Sequence, residues 1–112
     1  MKAVDAQIKR GSAELAVLSV LCEGALHGYE IAKQIAEQTG GVLTFDMASL
    51  YPMLYRLEKR GWIRGEWETV KNGRQRRCYK LTGVGKAKLV PLRRQWKLFF
   101  HALDRLAGVS RA

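Results

Sequence analysis

The chain has few of the residues that usually build a metal site, a disulfide framework or a secreted scaffold. Its 112 residues include only two cysteines, Cys22 and Cys78, and two histidines, His27 and His101. Two cysteines cannot form a disulfide scaffold, and a zinc site of four ligands would need more histidines. We therefore predict no metal ion and no cofactor, and we expect a cytoplasmic protein with reduced thiols.

Long hydrophobic runs are also missing. The longest, Leu15–Cys22, is far shorter than the ~20 residues that a membrane span needs. The first residues lack the apolar core of a signal peptide, so neither a membrane partner nor a secretory leader is expected. A length of 112 residues with 47% hydrophobic and 27% charged residues is typical of one folded domain.

No catalytic motif is present either. The chain has no phosphate-binding or dinucleotide-binding glycine motif, and neither cysteine has a histidine close by in the sequence. His27 precedes a helix start and is expected to cap it or pack there, while Cys22 falls in a helix expected to be buried. Cys78 lies among several cations that would lower the pKa of its thiol, which leaves oxidant sensing open. We do not expect an enzyme.

Acidic residues are scarce in one part of the chain. Residues 1–70 hold 8 basic and 9 acidic side chains, a net charge of −1, whereas residues 71–112 hold 12 basic and 1 acidic, a net charge of +11. Charge this strong and this segregated indicates a polyanionic partner, for which double-stranded nucleic acid is favoured over charge that serves only solubility.

Three helices are predicted in the first part of the chain, from the periodicity of their apolar residues. The first is expected to begin at Ser12 as N-cap and to end near Cys22. The second covers about residues 27–38 and the third lies within residues 46–61. Because proline is tolerated only in the first helical turn, Pro52 favours Ser49 over Asp46 as N-cap of the third helix.

Residues 62–82 alternate between apolar and polar side chains, which predicts a β-hairpin around Asn72-Gly73. A three-residue loop with Gly73 in the left-handed conformation is favoured over a two-residue turn, because it places Trp67 and Tyr79 on one face. This register predicts Tyr79 across from Gly65.

A final helix is predicted from Thr82, as N-cap, to about Leu106. Its apolar residues follow spacings of 3, 4, 3, 4 and 3, the heptad pattern of a helix that packs against a partner helix. Pro91 lies inside this segment, and either a kink there or a helix that begins at Pro91 would accommodate it.

The order of three helices, a basic hairpin and a long helix predicts a winged helix-turn-helix. The fold class is therefore mostly α with a two-stranded β-wing and a long C-terminal dimerisation helix. We expect residues 1–11 to form an N-terminal arm, residues 12–82 the DNA-binding domain and residues 83–107 the dimerisation helix. A helix of this kind fits the major groove of DNA, and the wing reaches the neighbouring backbone.

The candidate DNA-binding residues are polar, cationic or small, and most belong to the third helix and the wing. They are Lys9, Arg10, Tyr29, Ala48, Ser49, Tyr51, Pro52, Tyr55, Arg56, Lys59, Lys71, Arg74, Arg76 and Arg77. An ordinary solvated helix face is the alternative for the third helix, and the two tyrosines outside the apolar stripe favour DNA.

The apolar seam of the last helix, together with the first helix, predicts a homodimer interface. Its candidate residues are Leu15, Leu18, Leu89, Leu92, Trp96, Phe99, Leu103 and Leu106. Packing within the chain is the alternative. Both can hold, because one edge of the last helix can pack on the first helix while the other edge packs on a second chain. Trp96, Phe99 and Phe100 are the candidate residues of an effector-binding site for an aromatic small molecule. Plain core packing is the alternative for these three side chains.

Several segments together resemble the PadR family of bacterial and archaeal transcriptional regulators, in particular its short members. The resemblance covers about residues 9–106, and its parts, which include Gly85, are residues 26–31 (LHGYEI), 49–58 (SLYPMLYRLE), 61–63 (GWI), 72–74 (NGR) and 79–82 (YKLT).

The resemblance implies a homodimeric repressor in which the C-terminal helix joins the first helix of the other subunit. It places the recognition helix at residues 48–59 and the wing at residues 69–77, with Lys9 and Arg10 near the DNA backbone. Some members are released from DNA by phenolic acids or flat drugs, and Trp96 matches a cavity position of theirs. Pro91 departs from the uninterrupted helix of the family.

The leading hypothesis is thus a sequence-specific DNA-binding regulator, associated with the nucleoid, that acts as a homodimer on a palindromic operator. A protein-interaction module and a non-specific nucleic-acid-binding module are the alternatives. If the chain were a protein-interaction module, the exposed positions of Ser49, Tyr51 and Arg56 would have no binding role. A lipid-surface helix is disfavoured because the apolar seam is narrow.

Overall fold

The computed structural model describes residues 6–108, and for residues 6–11 it describes the backbone alone. Four helices surround a small antiparallel sheet. The elements in chain order are α1 (Ala6–Leu21), β1 (Leu26–His27), α2 (Gly28–Gln38), α3 (Met47–Lys59), β2 (Ile63–Thr69), β3 (Gln75–Leu81) and α4 (Gly83–Ala107). This order is a winged helix-turn-helix with a long last helix, so the predicted fold class is confirmed.

Helix α1 begins earlier than predicted. It starts at Ala6, so the expected N-cap at Ser12 is wrong, and residues 6–11 are helical rather than part of a loose arm. Residues 1–5 lie outside the described part of the chain. Ala6–Arg10 are mostly good helix formers, and a single glycine such as Gly11 costs only about 1 kcal/mol inside a helix. The packing of the apolar turns that follow outweighs this cost, so the helix continues across Gly11.

Helix α3 also begins earlier than predicted, with Asp46 as its N-cap. The Asp46 carboxylate accepts a hydrogen bond of 2.8 Å from the backbone N–H of Ser49, so the preference for Ser49 as N-cap was wrong. Pro52 therefore lies inside the helix. It removes the donor for the carbonyl of Ala48, but Ala48 is exposed, so water can replace that donor.

The wing forms as predicted. Gly65 pairs with Tyr79 and Trp67 pairs with Arg77, and Gly73 has a φ of 73°, as the three-residue loop requires. The sheet nevertheless has a third strand that the sequence analysis missed. The short strand β1 pairs with β3, with His27 opposite Cys78, and this ties the start of α2 to the wing.

Helix α4 starts at the predicted N-cap. The Thr82 hydroxyl accepts a hydrogen bond of 3.0 Å from the backbone N–H of Gly85, and the helix continues through Pro91 without interruption. Position 85 needs glycine, because an added Cβ would lie 2.0 Å from the Trp62 carbonyl oxygen. This close approach holds the start of α4 against the base of the wing.

Helices α1, α2 and α3 and the first half of α4 contribute to one core. The inward stripe predicted for α3 is confirmed, since Leu50, Leu54 and Leu57 are completely buried. The largest fully buried side chains are Leu18, Ile31, Ile35, Leu50, Leu54, Leu57, Ile63, Leu89 and Val17. The opposite face of α3 is left to solvent.

Candidate nucleic-acid interface

The exposed face of α3 carries the side chains that the sequence analysis assigned to DNA. Tyr51 and Tyr55 are 51% and 62% exposed, and the Lys59 ammonium lies 5.3 Å from the centre of the Tyr55 ring. The exposed residues of the predicted set on α2 and α3 are Tyr29, Ala48, Ser49, Tyr51, Pro52, Tyr55, Arg56 and Lys59. The structure thus brings all the predicted recognition-helix residues to one accessible surface.

Neighbouring elements fix the position of α3. A Cβ atom at Gly28 would lie 3.2 Å from the Tyr51 ring, so the glycine lets the first turn of α2 approach α3 closely. At the other end of α3, the Arg60 guanidinium donates a hydrogen bond of 2.7 Å to the Glu14 carboxylate on α1. The exposed face is therefore presented by a helix that is anchored at both ends.

The wing adds cations beside this face. Lys71, Arg74 and Arg76 are exposed, and no ion pair within the described residues neutralises them at a distance of 4 Å or less. Cations that stay solvated on a projecting hairpin suit contacts with phosphate groups. Lys9 and Arg10 lie in the first turns of α1, and their side chains fall outside the described residues.

Arg77 is different from the other wing cations. Its guanidinium donates a hydrogen bond of 2.5 Å to the Glu58 carboxylate of α3 and lies 5.3 Å from the centre of the Trp67 ring. It crosses over Gly65, where a Cβ atom would come within 2.6 Å of its Nε atom. The hydrogen bond to Glu58 raises the pKa of Arg77. Arg77 therefore joins the wing to α3 instead of standing free for a phosphate.

His27 and Glu30 form the N-terminal cap of α2, as expected for a histidine at this place. The backbone N–H of His27 donates a hydrogen bond of 3.0 Å to the Glu30 carboxylate, and the Nδ1 atom of the ring contacts the same oxygen. The hydrogen bond from the His27 backbone, followed by that from its side chain, lowers the pKa of Glu30. The cap sets the direction of α2 and, through packing, that of α3.

The expectations for the two cysteines were wrong. Cys22 is exposed rather than buried. Burial, followed by the charges of Glu68 and Glu30, raises the pKa of the Cys78 thiol, whereas neighbouring cations were expected to lower it. The carboxylates that act on Cys78 belong to β2, which pairs with its strand, and to the first turn of α2, which follows β1. The sequence analysis considered only the neighbouring cations. A thiol with a raised pKa is a poor oxidant sensor.

The candidate dimer residues divide into three groups by exposure. Leu18 and Leu89 are 0% and 2% exposed, so they belong to the core of this chain and offer no surface to a second one; their assignment to the interface is corrected. By contrast, Phe99, Leu103 and Leu106 are 51%, 45% and 86% exposed. The remaining candidates, Leu15, Leu92 and Trp96, are half-buried.

The three aromatic side chains of α4 form one cluster. The ring centre of Trp96 lies 5.5 Å from that of Phe99 and 5.3 Å from that of Phe100. Trp96 and Phe100 line an apolar cleft of about 430 Å³ between α4, α1 and the end of α2. Phe99 faces a separate hollow of about 460 Å³, which it shares with Leu92, Gln95 and Trp96. The predicted effector residues are thus adjacent, but they do not all line one cavity.

Within residues 6–108, no helix is long and apolar enough to cross a membrane. The arrangement of α2 and α3 against a cationic wing defines a winged helix-turn-helix protein of the kind found in transcriptional regulators. Residues 17–90 match the model of the transcriptional regulator PadR-like family. The chain belongs to this family, so the resemblance seen in the sequence and the expectation that the chain is a regulator and not an enzyme are confirmed.

Similar proteins agree with this assignment. The transcriptional regulator Rv3488 of Mycobacterium tuberculosis is 31% identical over 90% of this chain and 84% of its own. A transcriptional regulator from Clostridium thermocellum has a similar structure, with a TM-score of 0.82, 27% identity, and coverage of 92% of this chain and 97% of its own. Bacillus subtilis PadR, solved in complex with operator DNA, is 28% identical with a TM-score of 0.66 over 71% of this chain and 45% of its own.

Proposed function

We propose that this PadR-family regulator binds double-stranded DNA in a sequence-specific manner, as a homodimer on a palindromic operator, and acts as a repressor. The observation that carries the proposal is the exposed face of α3, which presents Ser49, Tyr51 and Arg56 beside a cationic wing. Bacillus subtilis PadR, a structural neighbour, was solved in complex with operator DNA, which supports DNA as the partner here.

Helix α3 is the proposed major-groove element. Ser49 offers a hydroxyl that donates or accepts, Tyr51 and Tyr55 reach phosphates or thymine methyl groups, and Arg56 reaches guanine or phosphate. Ala48 and Pro52 are small or compact, so they let the helix approach the bases closely. Tyr29 at the start of α2 and Lys59 at the end of α3 extend the surface towards the backbone.

The wing and the start of α1 supply the proposed backbone contacts. Lys71, Arg74 and Arg76 are exposed cations at the loop and the adjoining strand, where a phosphate can neutralise each of them. Lys9 and Arg10 are proposed to add contacts of the same kind. Arg77 is proposed to act through position, because its ion pair with Glu58 sets the distance between wing and recognition helix.

A homodimer is supported by the outer half of α4. Phe99, Leu103 and Leu106 stand at spacings of four and three residues, and each is at least 45% exposed. Apolar side chains on such a stripe are expected to be covered by a second helix. A two-fold protein reads two half-sites about one helical turn apart, so a palindromic operator follows from the dimer.

Release by an effector is the last part of the proposal. The cleft lined by Trp96 and Phe100 has about 430 Å³, which falls in the range of about 300–1,000 Å³ typical of small-molecule sites. Its walls are mostly apolar and aromatic, so a flat aromatic compound is the expected class of effector. Because the cleft lies between α1 and α4, a ligand there would act on the elements proposed to form the dimer.

The test is selection from a pool of random duplexes at moderate salt, followed by sequencing of the bound DNA. The expected result is a motif with two-fold symmetry, and Arg56→Ala should reduce its enrichment. Salt-sensitive binding without any enriched motif would contradict sequence-specific regulation and indicate a non-specific binder. Absence of DNA binding at low salt would favour a protein-interaction module instead.

A further inference from the structure

His27, Glu68 and Cys78 meet at the junction of the wing with α2. His27 lies on β1 directly opposite Cys78 on β3, and Glu68 reaches them from β2. One nitrogen, one oxygen and one sulfur atom from these side chains all lie within 4.8 Å of one another. Glu68 and Cys78 are brought together by the pairing of β2 with β3, and His27 joins them because β1 pairs with β3 on its other side.

The hydrogen bonding of His27 leaves one ring nitrogen directed at this junction. Its Nδ1 atom contacts the Glu30 carboxylate, an acceptor, so Nδ1 carries the proton in the neutral ring. The Nε2 atom then presents its lone pair, and it lies 3.5 Å from the Glu68 carboxylate. Two acceptors that face each other repel unless a cation lies between them.

Burial makes this arrangement costly as it stands. The side chain of His27 is 14% exposed, and its Nε2 atom is fully buried without a hydrogen-bond partner. A buried polar atom without a partner loses its hydration and gains nothing in return. Such an atom in a native fold calls for a partner, either a water or an ion.

We propose that His27, Glu68 and Cys78 form a binding site for a zinc-class divalent cation, with water in the fourth position. Nitrogen and sulfur donors with one carboxylate are the ligands that zinc prefers. Ligand atoms about 2.0–2.3 Å from a tetrahedral zinc ion lie roughly 3.3–3.8 Å apart. The separation of 3.5 Å between Nε2 and the Glu68 oxygen matches this, and the sulfur atom of Cys78 lies within 4.8 Å of both.

Glu30 completes the site from outside. A histidine that binds a metal usually donates its other ring N–H to a carboxylate, which orients the ring and makes the ligand more basic. The contact between His27 Nδ1 and Glu30 has this form. Glu30 therefore holds the imidazole in the orientation that a metal ion requires, and it is the proposed positioning residue.

The surroundings allow a cation to enter and favour it. The charges that act on the Cys78 thiol include three carboxylates, on Glu68, Glu30 and Glu66, and one guanidinium, on Arg76. A hollow of about 290 Å³ on this face is lined by Glu68 and Cys78, so water has room beside the ligands. Glu66 also lines it, and its charge is shared with Arg64 and Lys80 of the same lining. Glu68 is half exposed, which gives the ion an entry path.

The site is tested by titrating the reduced, chelator-treated protein with Co²⁺, which is a spectroscopic substitute for Zn²⁺. We expect one ion per chain, with a thiolate-to-metal charge-transfer band, and displacement of Co²⁺ by Zn²⁺. Cys78→Ser should abolish the charge-transfer band. Glu68→Gln should weaken binding at least tenfold, and Glu30→Gln should weaken it about 10–100-fold, the range found for such outer carboxylates.

The chain provides matched controls. Cys22→Ser and His101→Ala remove the other cysteine and the other histidine, both exposed, and should leave Co²⁺ binding unchanged. Circular dichroism of each variant checks folding, and Glu68→Gln is a nearly isosteric change at an exposed position. The proposal would be overturned if the wild-type protein does not bind one Co²⁺ per chain, or if the charge-transfer band survives in Cys78→Ser. In that case a proton, and not a metal ion, would lie between His27 Nε2 and the Glu68 carboxylate.

Discussion

Sequence reasoning predicted which side chains are exposed more accurately on one surface than on another. It succeeded on the surface formed by α3 and the wing, and only in part on the surface formed by α1 and α4. On the first, every recognition-helix residue predicted from the sequence is exposed, and Arg77 alone among the described wing cations of the predicted set is held in an ion pair. On the second, Leu18 and Leu89 are buried in the core whereas Phe99 and Leu103 are exposed.

The cause of this difference is physical. Burying an unpaired charge is costly, so a cation outside an apolar stripe is exposed or has a partner, and either outcome keeps it on the surface. A leucine gains free energy by burial in its own core or against a second chain. Residues of α4 that are buried in the core and residues that are exposed therefore share the same heptad spacing. Only the packed structure distinguishes the two groups.

The strongest test of the division within α4 compares two leucines of the same helix. Leu89→Ala should lower the free energy of unfolding by about 2–5 kcal/mol, since it leaves a cavity in the core. Leu98 is 67% exposed and lies off the heptad seam, so Leu98→Ala should change it by less than about 0.5 kcal/mol. Urea unfolding followed by circular dichroism measures both. Equal losses would show that the two halves of α4 are not distinct.

The outer half of α4 is tested through the oligomeric state. Phe99→Glu should give a monomer, because a charge buried in an apolar interface without a partner costs about 3 kcal/mol or more, a hundredfold or greater loss in dimer affinity. Leu98→Glu is the control on the same helix and should remain dimeric. Light scattering over a range of protein concentrations distinguishes them. A dimer that persists in Phe99→Glu would move the interface to another surface.

Much of the fold could be predicted because local rules and tertiary packing agree. The register of the wing followed from the conformation that Gly73 needs, and the N-cap of α4 followed from Thr82. Two helix starts were wrong because a cap was chosen from a single residue: Gly11 did not stop α1, and Asp46 capped α3 despite Pro52. The strand β1 was missed because two residues have no detectable periodicity, and with it the meeting of His27 and Cys78 was missed.

On the surface formed by α3 and the wing, two substitutions distinguish contacts to bases from contacts to the DNA backbone. Arg56→Ala should weaken binding to the selected operator by about 1–3 kcal/mol and leave random DNA almost unaffected. Arg76→Ala should weaken both equally and lower the salt slope of the binding constant by about 0.9, because one phosphate contact is lost. Fluorescence anisotropy at several salt concentrations gives both quantities. Equal effects of Arg56→Ala on the two DNAs would mean that α3 is not the reading helix.

The smallest expected effect concerns Arg77. It differs from the other predicted wing cations because it is held in an ion pair. Glu58 and Arg77 are each less than one third exposed and lie 2.5 Å apart, so a double-mutant cycle with Glu58→Gln and Arg77→Gln should give a coupling energy of roughly 1 kcal/mol in unfolding. Exposed pairs such as Glu66 and Lys80, at 3.8 Å, should give less than half of that.

The same variants separate position from direct contact. If Arg77 acts by holding the wing against α3, Arg77→Gln should leave the salt slope of DNA binding unchanged, because its charge is already neutralised by Glu58. Glu58→Gln should then reduce operator affinity about as much as Arg77→Gln, since either change releases the same contact. A salt slope that falls in Arg77→Gln as it does in Arg76→Ala would show that Arg77 leaves Glu58 for a phosphate when DNA binds.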